Sequence, residues 1–253
     1  MKKEKMKISN IVKDAMHVFS RRSIRGLSWF FTMINAPFLV ALIWILITRH
    51  ETSLGKRRGG GKILIIDNPS GNIDLKSAYK EGSPKHSFII MSEESLRGVG
   101  VAILGCDVSD YTYYSINQDR KTCLRKFIKK VFFYYHKFFK IKAVISQNFN
   151  YWALREFANV CVDQHVNYLI NYKECLRTPG TLEAAIFKNI KCEGPITCSA
   201  ISVHNSQTKD YLIRSRLVDG DKIYIVGQAR SDFIHQLKYQ KKYLRKKNSI
   251  FYD

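Results

Sequence analysis

A chain of 253 residues with 45% apolar side chains is long enough to bury a core of its own, which excludes wholesale disorder. Its net charge of +21 implies an anionic partner: nucleic acid, acidic lipid or a phosphorylated small molecule. Cys106, Cys123, Cys161, Cys175, Cys192 and Cys198 form no C-x-x-C pair and have no His at metal-ligand spacing, so they read as reduced packing thiols and no metal site is expected.

Residues 1–26 form a basic leader. From 27 to 48 the sequence LSWFFTMINAPFLVALIWILIT carries no charge and is long enough to cross a bilayer as one helix. Trp29, Phe30, Phe31, Pro37 and Trp44 are its candidate membrane residues. Asn35 and Pro37 near the middle would kink a spanning helix or turn a re-entrant one back. Arg21, Arg22 and Arg25 before it, with Arg49 and Lys56 to Arg58 after it, suit a monotopic segment on an anionic leaflet as well as a span. A buried helix of a soluble domain is the third possibility. Residues 49–61, with Gly59 to Gly61, read as a basic, glycine-rich linker.

Beyond the linker, short β-branched runs bounded by turn residues alternate with helical periodicity. Strands are expected over 62–68, 86–92, 101–107, 142–148, 167–174, 196–205 and 221–227. Helices are expected over 121–140, 151–164, 179–190, 206–216 (capped by Ser206) and 231–247. This alternation predicts an α/β, Rossmann-like, doubly wound parallel sheet over 62–230. Ligands in such sheets lie beyond the carboxyl ends of the strands, so the strand tips are the candidate site.

At 146–151, Gln147, Asn148 and Asn150 surround Phe149 where a strand gives way to a helix. Amides there suit a hydroxyl-rich ligand, or simply turn chemistry. At 171–180, Lys173 and Arg177 can clamp an anion and Glu174 is the candidate general base; a surface ion pair is the plain alternative. His204 and Arg230 follow two further strands. Arg230 can bind phosphate or tie down the next helix. The basic helix over 121–140 reads either as a membrane-facing amphipathic helix or as a core-covering helix with a solvated face.

The order NFNY (148–151), KECLRTPG (173–180) and VGQARSDFIH (226–235) resembles bacterial glycosyltransferases of the GT-B fold that build lipopolysaccharide, capsule and other surface polysaccharide. The last motif looks like the V-G-x-P-R-x-D junction that leaves the first Rossmann-like domain in that family and in the related glycerophosphotransferases; Ala229 stands here where proline is usual. The resemblance implies transfer of a sugar from a nucleotide-sugar donor, a substrate and not a cofactor, to a saccharide or lipid-linked acceptor at the cytoplasmic face of the inner membrane. It places Asn148, Asn150, Lys173, Glu174 and Arg230 along the cleft, and makes residues 231–253 a connecting helix and the start of a second domain, which a separate chain would otherwise supply. Two other classes remain open: a catalytically silent membrane-associated fragment or scaffold, and a basic nucleic-acid-binding protein. Nucleic acid is the less expected partner, because the basic residues cluster at membrane-facing positions and no nucleic-acid motif appears.

Overall fold

The strands form where β-branched runs meet glycine or polar turn residues. In the computed structural model, which describes residues 21–51, 61–67, 87–149, 151–172 and 194–227, seven strands make one sheet in the order β1-β3-β2-β4-β5-β6-β7. They are β1 (Arg49–Glu51), β2 (Lys62–Asp67), β3 (Ser87–Ser92), β4 (Ile141–Ser146), β5 (Asn167–Asn171), β6 (Ala200–Val203) and β7 (Ile223–Ile225). The last six are parallel and β1 pairs antiparallel with β3 at the edge. The expected α/β parallel sheet is present. Part of the expected linker at 49–61 is an edge strand instead, and 52–60 lie outside the described residues.

Six helices accompany the sheet among the described residues: α1 (21–33), α2 (Pro37–Ile47), α3 (Glu93–Leu104), α4 (Gln118–Phe139), α5 (Trp152–Asp163) and α6 (Ser206–Arg214). The main core lies on one face of the sheet. There Leu64, Ile89, Val144 and Ile170 meet Val99 of α3, Phe132 of α4 and Phe157 of α5. Strand alternation sends Ile65, Phe88 and Ile90 to the opposite face, where they form a smaller cluster.

The apolar run VAILGCD at 101–107 is not the expected strand. Val101 to Leu104 are the last turn of α3, and Asp107 follows a turn, so it is no strand tip. A short buried run has no period to tell strand from helix, and here the cap decides. The Ser92 hydroxyl accepts from the Glu94 N–H at 3.3 Å, and Glu93 and Glu94 lie in the first turn, where acids favour a helix start. In α6 the cap is Asn205, accepting from the Thr208 N–H at 2.8 Å, and not Ser206.

The single long helix read over 27–48 is two short ones. A turn at Ile34 and Asn35, with Asn35 at φ 53°, separates α1 from α2, and Pro37 opens α2. Among the described residues no helix is long and apolar enough to cross a membrane. The hairpin is part of the domain. Trp44 is 0% exposed and sets its ring edge-on to Tyr135 of α4 at 6.0 Å, while the Tyr135 hydroxyl hydrogen-bonds Thr48 Oγ1 at 2.7 Å. Trp44 therefore faces inward rather than toward lipid, and Phe31 packs against the same core. On α3, the Arg25 carbonyl and Ser28 Cβ occupy the place where a side chain on Gly98 would begin, so the backbones of α1 and α3 are nearly in contact.

Candidate functional site at the switch point

The chain runs from β2 to β3 on one side, then returns to place β4 on the other side of β2. In open parallel sheets, ligands lie beyond the carboxyl ends of the two strands that flank such a reversal of strand order, here β2 and β4. Ile65 is paired with Ile145, which puts Asp67 and Gln147 level with each other two residues further on.

Both are buried at 2% exposure. Asp67 Oδ2 is 3.0 Å from Arg49 Nη2 and 3.6 Å from Arg21 Nη2, whereas its Oδ1 has no partner among the described residues. Among the same residues the amide of Gln147 has none for either its Nε2 or its Oε1. A buried amide lacking partners costs roughly 1–3 kcal/mol. Among the described residues the tips of β2 and β4 thus bury one donor group and two acceptors without partners, the complement of a hydroxyl-rich or amide-bearing ligand.

Beside Gln147, Asn148 and Phe149 leave β4 buried, and Phe149 stacks on Tyr172 at the end of β5 with centroids 4.7 Å apart. The following helix α5 has no side-chain cap of its own. Asp110 supplies it from a distant loop, its Oδ1 accepting from the Trp152 N–H at 2.8 Å. Burial raises the Asp110 pKa above the usual carboxylate value; the bond from Trp152 and the charge of Arg97 oppose that rise. Glu156, one turn into α5, is 3% exposed and ties three elements together. It accepts from the Tyr113 hydroxyl at 2.7 Å, Arg125 Nε at 2.6 Å and Asn159 Nδ2 at 3.3 Å.

A cavity of about 190 Å3 runs along α5 from Asn148 and Phe149 to Thr197, passing Arg125, Glu156 and Asn159. It is smaller than the roughly 300–1,000 Å3 of drug-sized ligand sites, so one sugar-sized group is the scale it suits. Thr197 Oγ1 donates to Asn159 Oδ1 at 2.5 Å across its wall, and Arg125 is held there by Glu156.

No family model, curated protein or solved structure matches this chain. What the site does rests on its own residues and on the motifs described above.

Of the candidate residues read from the sequence, Asn148 follows β4 on the cavity wall, and His204 directly follows β6. Two strand spacings separate those tips, roughly 10 Å, with β5 between them. Asn150, Lys173, Glu174, Arg177 and Arg230 lie outside the described residues, as do the helices expected over 179–190 and 231–247. Asp67 and Glu156 were not singled out in the sequence. The signal for Asp67 was available, an acid closing an apolar strand before Asn-Pro-Ser-Gly; nothing local marks Glu156.

Among the described residues no three His, Cys, Asp or Glu side chains gather as a metal site. The four thiols among the described residues divide cleanly. Cys106 and Cys123 are exposed, whereas burial pushes Cys198 up to about 11 and Cys161 well above its ordinary value. The thiolate is the reactive form, so at pH 8 only about one Cys198 side chain in a thousand is ionised. Alkylation of the folded chain at pH 8 should label Cys106 and Cys123 within minutes and spare Cys161 and Cys198 until denaturant is added. Peptide mass mapping reads this directly, and rapid native labelling of Cys161 would mean that α5 does not pack as described.

Proposed function

We propose that this chain is the acceptor-side α/β domain of a membrane-associated glycosyltransferase, one half of a GT-B arrangement, acting in bacterial surface polysaccharide synthesis. The observation that carries the reading is the pair of buried, incompletely bonded side chains at the switch point, Asp67 and Gln147. Side chains of this kind are stable when a ligand completes their bonds, and hydroxyl-rich saccharide matches their donors and acceptors. The motif order NFNY, KECLRTPG and VGQARSDFIH adds the likeness to surface-carbohydrate transferases.

On this reading Gln147 and Asn148 hold the acceptor saccharide and the Asp67 carboxylate orients one of its hydroxyls. Glu174 remains the proposed general base, with Lys173, Arg177 and Arg230 toward the donor phosphates. The donor nucleotide sits mainly on a second α/β domain, as in the family resembled. The net charge of +21 favours a lipid-linked, phosphate-bearing acceptor.

The test is transfer of label from a panel of radiolabelled nucleotide-sugars into lipid extracts of membranes carrying the full chain. Incorporation that needs Gln147 supports the reading. If the purified chain gains no thermal stability from any saccharide or lipid-linked saccharide, the acceptor-side reading fails and the scaffold reading takes its place.

A further inference from the structure

In α1 the usual polarity of a surface helix is reversed. Ser28 is 0% exposed and Thr32 is also buried, while Leu27, Trp29, Phe30, Met33 and Ile34 are exposed. The inward polar groups are satisfied within the hairpin: Thr32 Oγ1 donates to the Ser28 carbonyl at 2.6 Å and Trp44 Nε1 reaches Ser28 Oγ at 3.4 Å. Along α2, Phe38, Leu42 and Leu46 recur every four residues on the outer face, opposite Val40, Ala41 and Trp44 in the core. Leu46 is 74% exposed. Phe38 meets Tyr134 of α4 edge-on at 5.5 Å, and Phe133 and Phe138 extend the apolar surface along the end of that helix.

Charge selects the occupant. Residues 21–47 and 120–140 contain no Asp or Glu. Arg22 on α1, and Lys129, Lys130 and Lys137 on α4, are exposed beside the aromatic rings, while Arg25 lies 3.9 Å from Glu94 of α3. A second copy of the chain would bring the same cations face to face, whereas an anionic bilayer offers hydrocarbon for the rings and phosphates for the cations. Among the described residues no helix is both long and apolar enough to cross. The eleven residues of α2 rise about 16 Å, against roughly 30 Å of hydrocarbon.

We infer that the outer faces of α1 and α2, with Phe133, Tyr134 and Phe138 of α4, form a monotopic seat that lies in one leaflet of an anionic phospholipid bilayer without crossing it. The seat deepens the membrane association in the proposed function and rests on that part of it alone; whether the chain transfers a sugar is a separate question.

Vesicle flotation of the full chain tests it. The chain should float with phosphatidylglycerol-containing vesicles at 0.15 M salt and much less with pure phosphatidylcholine. Leu42→Glu with Leu46→Glu changes only outward side chains and should lower the bound fraction at least tenfold, with the circular dichroism and melting curve unchanged. Replacing Lys129, Lys130 and Lys137 by Gln should weaken binding to anionic vesicles about a hundredfold, at roughly 1 kcal/mol per cation, and leave phosphatidylcholine binding as it was. Binding that ignores both variants, or no binding to either vesicle, overturns the seat. So does light scattering in which L42E/L46E converts a dimer to a monomer, since the occupant would then be a second copy. Thermal stabilisation by saccharides measured on the same variants separates the two questions: a chain that binds saccharide but ignores both variants loses only the seat, and one that binds vesicles as expected without binding saccharide loses only the acceptor-side reading.

Discussion

Replacing Trp44 by Ala should cost about 3–5 kcal/mol of folding stability, the range for deleting a buried tryptophan. That is a large share of the roughly 5–15 kcal/mol that holds an ordinary domain together. Trp44 has no exposed surface and fills the space between α2 and α4. Its loss removes the edge-on contact with Tyr135 and the hydrogen bond to Ser28 together. Leu46→Ala, two residues along the same helix, should change stability by less than about 0.5 kcal/mol, because that side chain already faces outward. Urea unfolding of the full chain with both variants decides the orientation of α2. A costly Leu46→Ala beside a harmless Trp44→Ala would show the helix rotated by half a turn.

Gln147→Met should move stability and function in opposite directions. The substitution keeps the side-chain length, removes a buried amide with no partners, and should raise stability by about 1–2 kcal/mol. If the amide holds saccharide by two hydrogen bonds, losing them removes roughly 3 kcal/mol, so transfer or acceptor binding should fall about a hundredfold. A residue kept for packing alone cannot give that pair of results. Measured destabilisation with unchanged ligand binding would mean that Gln147 serves the fold, and would take the central support from the proposed function.

The sheet could be read from the sequence because each parallel strand is a compact run of Ile, Val and Leu closed by turn residues. The β4 tip at Gln147 and Asn148 was legible for the same reason. The α3 helix was not, since Val101 to Leu104 carry no period and the deciding Ser92 cap lies outside the run. The orientation of the first hydrophobic segment was also out of reach. Both faces of α2 are apolar, so neither periodicity nor composition shows that Trp44 points inward and Leu46 outward. The supports of α5 come from far along the chain. Asp110 lies 42 residues before the N–H it caps, and Arg125 lies 31 residues before Glu156. Such partners meet only once the layers have packed.

The near-contact of α1 with Gly98 has a practical side. Hydrophobic leaders are commonly cut away to obtain a soluble enzyme, and here the stretch to remove would be the one ending before Lys62. That cut takes Trp44 out of the core, bares the Gly98 surface of α3, and strips β1 from β3, leaving a raw strand edge of the kind that recruits other chains. The shortened chain should precipitate rather than dissolve. Surface charges placed at Leu42 and Leu46, with the leader kept whole, are the better route to a soluble preparation.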